Sequence, residues 1–333
     1  AIFSDARAEF RVREREFDAH TEIVVSPEDD IELRRTHLTN RGRTRRTIEL
    51  TSYAEVVLAP PIADALHPAF SKLFVQTELV PELQAIVCTR RPRAAGEHMP
   101  WMFHLLAVHD ADIVEISYET DRARFIGRGR STADPQVFDR EQARPSDSDG
   151  SVLDPIMAIR CRITLEPDQT ATIDFVSGIA EQRDGCIQLI GKYRDRHLAD
   201  RVFDLAWTHS QVLLRQLNAS LADAQLYEHM ATSILYPNAS LRAQPAVLRA
   251  NRRGQSGLWG QSISGDLPIV LLTITSPARI ELVRQLVQAH AYWRLKGLAV
   301  DLVIWNEDRA GYRQELQDQI MGLIASGSEA SLL

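Results

Sequence analysis

Cysteine is scarce in this chain and poorly spaced for cross-linking: Cys88, Cys161 and Cys186 are the three in 333 residues. An odd number without a CxxC pair argues against a disulfide framework and against a structural zinc site, and fits a reducing compartment. Long apolar runs are missing as well. None reaches the about 20 residues that a spanning helix needs, and the opening stretch AIFSDARAEFRVRERE has no apolar signal core. Membrane contact is therefore expected only through a larger protein. A surplus of positive charge is also absent. The net charge is −7, so nothing global favours nucleic acid or an anionic membrane.

Several catalytic signatures are missing too. Gly127-Arg-Gly129 in FIGRGRS (125–131) lacks a third glycine, because Thr132 stands in its place, and no Walker pattern occurs. The plain reading is a sharp strand-to-loop turn whose glycines allow positive φ, with Arg128 and Arg130 available to an anionic ligand. His98, His104 and His109 are close in sequence but show no HExxH-like spacing. His104 reads as a satisfied core histidine, and no metal or cofactor is expected. No glycine follows Ser264 by two, so SISGD fails as a nucleophile elbow. The sequons at Asn218 and Asn238 carry no meaning without secretion.

What is present is ordinary globular composition, with 44% hydrophobic and 25% charged residues. At about 100–200 residues per domain, two or three domains are expected. Apolar–polar alternation predicts strands at TEIVV (21–25), IELRRTHLTN (31–40) and TIELTSYAEVVLA (47–59). Further strands are predicted at PELQAIVCTR (81–90), MFHLLAVHD (102–110), DIVEISYETD (112–121), IMAIRCRITLEP (156–167) and QTATIDFVSGIA (169–180). So many short strands predict two stacked antiparallel sheets. The stretch 133–150, rich in Asp, Ser, Pro and Arg, predicts an exposed loop.

The period changes near Asp195. Helical spacing predicts helices over 196–217 and 219–236, interrupted by Pro237 and Pro245. LPIVLLTI (267–274) and LAVDLVIWNE (298–307) predict two buried strands around a helix at 277–297, with Ser276 as N-cap and Gly297 past its end. This is a βαβ unit. A last helix is predicted over 311–326.

Between Trp259 and the apolar run lies a Ser264-Gly265-Asp266 turn. Glycosidic bonds are cleaved with carboxylates as proton donor and nucleophile or base, and phosphate can replace one of them. Asp266 is the best-placed acid, although Asp beside Gly is also ordinary turn chemistry. Aromatic faces stack on sugars. Trp259, in a Gly-flanked loop, is the better ligand candidate, whereas Trp293 and Trp305 read as core.

SGLWGQSISGDLPIVLLTI (256–274) resembles the signature of the family-94 glycoside phosphorylases, close to LWxxGISGDxP. HAYWRLKGLAVDLVIWNED (290–308) and GYRQELQD (311–318) resemble the segment that follows it. VSPEDDIELRRTHLTN (25–40), LTSYAEVVLAP (50–60), HPAFSKLFVQTE (67–78), FIGRGRS and LDPIMAIR (153–160) are similar to the corresponding regions of cyclic β-1,2-glucan synthases. The resemblance covers nearly the whole chain. It implies a mainly β and then α molecule: a β-supersandwich over 1–195, a helical linker over 196–245, and over 246–333 the truncated start of an (α/α)6 barrel containing the βαβ-like segment.

It further implies inverting phosphorolysis of β-glucosidic bonds, with inorganic phosphate as co-substrate of the complete enzyme. The expected partners are β-1,2-glucan or an oligosaccharide, the rest of the same polypeptide, and a second copy. The implied location is the cytoplasmic face of a bacterial inner membrane. The family's general acid lies further into the barrel, so no catalytic residue is named here. A chain running from Ala1 to SEASLL is expected to be a piece of something longer, inactive alone. The resemblance gives Asp266 the role of a sugar-binding carboxylate. Gly260 stands where simpler members carry an assisting Arg, and Gln261 and Ser262 depart from the pattern too. The alternatives are a non-catalytic glucan-binding or dimerisation module and, third, a nucleotide-using α/β enzyme.

Overall fold

The computed structural model describes residues 1–94, 96–139, 144–236, 238–308 and 315–326. They fall into two compact units, Ala1–His209 and Ser210–Leu333.

In the first unit the strands are β1 (Ile2–Ser4), β2 (Arg7–Glu14), β3 (Phe17–Val25), β4 (Ile31–Asn40), β5 (Arg46–Thr51), β6 (Ala54–Glu55) and β7 (Val75–Val80). They continue with β8 (Ala85–Arg90), β9 (Trp101–His109), β10 (Asp112–Asp121), β11 (Pro155–Leu165) and β12 (Thr170–Ala180). Eight of them form one antiparallel sheet in the order β1-β2-β3-β4-β12-β9-β8-β7. A smaller sheet runs β10-β11-β5, with β6 also paired to β11.

Because side chains alternate across a strand, each central strand of the large sheet feeds two cores. Leu38, Ile86, Cys88, Leu106 and Ile173 meet Met157, Ile159, Cys161 and Ile163 of the small sheet. On the opposite face Leu33, Val87, Phe103, Leu105 and Val176 meet two helices, α4 (Arg183–Tyr193) and the first half of α5 (Arg196–Gln216), through Cys186, Ile190, Tyr193, Ala199 and Val202. The expected pair of stacked sheets is therefore present, with helices covering the far face of the larger one. Three short helices, α1 (Pro61–Leu66), α2 (Pro68–Lys72) and α3 (Arg122–Ile126), occupy connections.

Strands β4 and β10 coincide with the sequence expectation. The predicted strand over 47–59 is broken instead, because the Ser52 amide and hydroxyl both turn to the Ile159 carbonyl, at 2.9 and 3.3 Å. Strands β1, β2 and β7 and helix α4 are not among the predicted elements.

The second unit holds α6 (Leu221–Leu235), α7 (Pro245–Ala250), β13 (Ile269–Ile274), α8 (Ile280–Leu295), β14 (Asp301–Asn306) and α9 (Glu315–Ser326). Ser220 and Asp223 form a reciprocal capping box at the start of α6. Strands β13 and β14 pair in parallel around α8, as the βαβ reading requires, and Ser276 accepts from the Ala278 amide at the start of a short 3-10 turn before α8. Trp293 is a core residue, 1% exposed, donating its indole N–H to the Tyr227 carbonyl at 2.8 Å.

Two expectations need correction: that both strands are buried, and that Trp305 is a core residue. The strands are not buried on both faces. Val270, Leu272, Leu302 and Ile304 pack against the helices, whereas Ile269, Leu271 and Trp305 point the other way and are 43%, 60% and 55% exposed. The physical reason is that a two-stranded sheet covered by helices on one side leaves its other pleat in water. Residues 311–314 of the last predicted helix lie outside the described residues, as do 140–143 of the predicted loop.

Candidate functional site

Gln255–Gly257 and Trp259–Gln261 are single 3-10 turns leading to β13. Ser262 then takes a left-handed conformation, and Gly265 follows with φ +79°. A Cβ at Gly265 would lie 2.8 Å from Cγ of Gln255, so glycine is required both for its φ and for the close approach.

Gln255, which sequence reasoning passed over, organises the turn. Its amide nitrogen donates to the Ser264 carbonyl at 2.9 Å and to Asp266 Oδ1 at 2.7 Å. Trp259 donates its indole N–H to the same Ser264 carbonyl at 3.3 Å, and the Asp266 amide donates to Ser264 Oγ at 3.2 Å. Trp259 is 63% exposed, and Asp266 is exposed. An aromatic face and a carboxylate, tethered through one carbonyl and one glutamine, thus stand together on the surface. That is an acceptor and stacking set suited to sugar hydroxyls, which donate to the carboxylate while the ring face stacks on the indole. The only hint of Gln255 in the sequence is its place at the head of QSGLWG, which carries no signal by itself.

A Cβ at Gly260 meets nothing within 4 Å, so its small size is not imposed by packing. Arg128, in the other unit, is exposed just after α3, whose Phe125 and Ile126 are buried with Val137 and Ile156. Gly127 ends that helix with φ +88°. The turn is therefore helix-to-loop instead of strand-to-loop. Arg130 pairs with Asp139 at 2.8 Å. Arg128 belongs to one compact unit and Asp266 and Trp259 to the other, where the last two share one turn.

His104 is a core residue as expected. Its ring nitrogens lie 2.8 Å from Ser177 Oγ and 2.7 Å from Ser52 Oγ, and burial pulls its pKa down to about 4. The cysteines are buried and free, with burial pushing the Cys161 thiol up to about 12 and the Cys186 thiol to about 11. They are not nucleophiles.

A cleft of about 240 Å³ on the small sheet is lined by Glu49, Glu115, Ser117, Arg144, Arg160 and Arg162. Its charges answer one another: Arg162 reaches Glu49 at 2.5 Å and Glu115 at 3.2 Å, and Arg144 reaches Glu115 at 3.5 Å. It makes no demand for a charged ligand.

Among known proteins, the model of the family described as glycosyl hydrolase 94, supersandwich domain, matches residues 1–196. Cyclic beta-(1,2)-glucan synthase NdvB of Rhizobium meliloti (strain 1021) is 35% identical over 315 residues, covering 95% of this chain and 11% of that protein. The chain thus spans a small part of the curated relative it matches. Among solved structures, a polysaccharide lyase aligns with 53% of this chain and 22% of its own at 13% identity and TM-score 0.31. A putative aldose 1-epimerase from Klebsiella pneumoniae aligns with 57% and 55% at 12% identity and TM-score 0.24. At these scores neither likeness carries an argument. The match over the sandwich covers more than half the chain, and the protein belongs to the glycosyl hydrolase 94 supersandwich family.

Proposed function

We propose that this chain is a carbohydrate-active module of a cyclic β-1,2-glucan synthase-type protein, and that its Trp259–Asp266 turn binds a glucosyl unit. The observation that carries the reading is the tethered pair itself: an exposed indole and an exposed carboxylate share the Ser264 carbonyl and the Gln255 amide. Membership in the family, and the relative named for glucan synthesis, support the choice of sugar.

In this reading the complete enzyme cleaves β-glucosidic bonds with inorganic phosphate and inversion, and the proton donor is supplied from outside this chain. A proton donor needs a raised pKa, which four carboxylates of this chain do not have. Glu9 is held low by His20, Glu55 by Tyr53 and Asp223 by Ser220. At Asp29 burial pushes upward and is outweighed by Lys192 and Tyr193. The remainder of the same polypeptide is the natural cover for the apolar pleat of Leu271 and Trp305. Among the described residues no helix is long and apolar enough to cross a membrane. The proposed location, at the cytoplasmic face of the inner membrane, depends on the larger protein.

Calorimetry with β-1,2-glucooligosaccharides tests the reading. Binding that is lost in Asp266→Ala and in Trp259→Ala, with no glucose 1-phosphate released from phosphate and glucan, is the expected result. Binding untouched by either substitution, or turnover by the chain alone, overturns it.

A second reading, a self-association module, has its own observation. The edge strand β1 exposes Phe3 at 74%, set edge-to-face on Phe10 at 5.9 Å. Light scattering at several concentrations, with and without Phe3→Ser, decides it: a dimer abolished by the substitution supports the reading, and a monomer throughout removes it.

A further inference from the structure

Three adjacent strands of the large sheet place two histidines and two glutamates on one face. In the β2–β3 register Glu9 opposes Glu22 and Arg11 opposes His20. In the β3–β4 register His20 opposes His37. Since opposed residues point to the same side of a sheet, Glu9, His20, Glu22 and His37 share one face, with His37 reaching the other three through Glu22.

The distances suit a cation. One ligand atom from each of Glu9, His20 and Glu22 lies within 4.8 Å of the others. His20 Nε2 is 3.1 Å from Glu9 Oε2, and His37 Nε2 is 3.8 Å from Glu22 Oε2. A tetrahedral ion with nitrogen and oxygen ligands at about 2.0–2.2 Å holds them about 3.4 Å apart. The observed pairs straddle that separation.

Outer contacts set the ligands. The Thr172 hydroxyl, on the neighbouring strand β12, sits 3.2 Å from Nδ1 of His37. It fixes the ring with Nε2 turned toward Glu22, as a ligating imidazole requires. Arg7 meanwhile bridges Glu9 and Glu22 at 2.9 and 2.7 Å. Arg7 is 44% exposed, so it is a counter-cation that a metal ion can displace into water.

We propose that Glu9, His20, Glu22 and His37 form a binding site for a divalent transition ion of the zinc type, with Thr172 positioning His37, and with Arg7 and Arg11, the latter 3.3 Å from Glu9, as competing cations. Two imidazoles with two carboxylates favour zinc over magnesium or calcium, which take oxygen ligands. The ion would tie β2 and β3, at the free end of the sheet, to β4.

The test uses the full chain, stripped of metal, titrated calorimetrically with Zn2+ alone. Saturable binding is expected, weakened about 10-fold or more in His20→Gln and in His37→Gln. Arg7→Ala should bind more tightly. Thr172→Val should weaken binding and Thr172→Ser restore it, which a merely structural role for Thr172 would not produce. Absence of binding, or affinity unchanged in both histidine variants, overturns the proposal. Both rings are about a third exposed, at 31% and 35%, so glutamine is accommodated. Should a variant fail to fold, Co2+ added to the native protein decides. Intense visible bands of a four-coordinate ion support the site, and the weak bands of the hydrated ion refute it.

Discussion

Arg35 and Asp174 face each other directly across β4 and β12, and the guanidinium grips the carboxylate with two parallel hydrogen bonds of 2.8 Å. Asp174 is completely buried and Arg35 nearly so. A third donor of the same guanidinium reaches Asp200 on α5, and its carbon lies 5.0 Å from the Phe203 ring. One side chain thus joins the centre of the large sheet to the helix that covers it. Bidentate geometry of this kind is specific to arginine.

Removing one partner strands a buried charge. Arg35→Ala and Asp174→Ala are each expected to destabilise the protein by about 3–5 kcal/mol. A double substitution to apolar residues of similar volume, Arg35→Met with Asp174→Leu, should cost much less than the sum. Urea unfolding of the four proteins checks this, and additive losses would refute the coupling.

His104 makes stability depend on pH. It joins Ser177 on its own sheet to Ser52 beside the smaller one, and it stacks on Phe175 at 5.8 Å. The unfolded chain takes up a proton at this site near pH 6.5 and the folded chain only near pH 4. Stability from this group is therefore full above pH 6.5 and falls as pH drops toward 4, by about 3 kcal/mol over the window. In His104→Asn that part of the slope should vanish, while stability at neutral pH drops by about 1–3 kcal/mol from the unmatched Ser177 hydroxyl. Thermal unfolding between pH 4 and 8 measures both.

The glycines around the candidate sugar turn should differ in kind. Gly265→Ala forces a left-handed φ on a residue with a Cβ and drives it against Gln255, at a cost of about 1–2 kcal/mol. It should also break the Gln255 bridge and with it glucan binding. Gly260→Arg enters open space and should leave stability within about 0.5 kcal/mol. Calorimetry beside thermal unfolding separates them: glucan binding that survives Gly265→Ala would show that the bridge does not hold the site.

The sheets were legible because alternation is a local signal. IELRRTHLTN and DIVEISYETD read as strands on their own and are strands. His104 was legible for the same reason, as a polar residue inside an apolar strand. Exposure was not. Whether Leu271 and Trp305 are covered depends on how many strands and helices surround them, and two strands leave one pleat bare. The Arg35–Asp174 pair spans 139 positions, and the Glu9–His20–Glu22–His37 face follows from a register that no single stretch encodes. That Asp266 and Trp259 share one turn was legible from their spacing in one short stretch. Gln255 was not, since its role is a tertiary hydrogen bond.

The tryptophans offer the sharpest contrast between binding and packing. Trp293 is buried, its N–H is satisfied by Tyr227, and its neighbours include Leu217 and Leu286. Trp293→Ala should cost about 3–5 kcal/mol through the cavity it opens and weaken glucan binding only through unfolding. Trp259 is mostly in water, so Trp259→Ala should shift stability by no more than about 0.5 kcal/mol. It should still remove the stacking face and with it most of the measured affinity for β-1,2-glucooligosaccharides. Trp259→Phe keeps a ring but loses the donor to Ser264, and should fall between. If Trp259→Ala binds glucan like the parent chain at unchanged stability, the turn is a turn and nothing more.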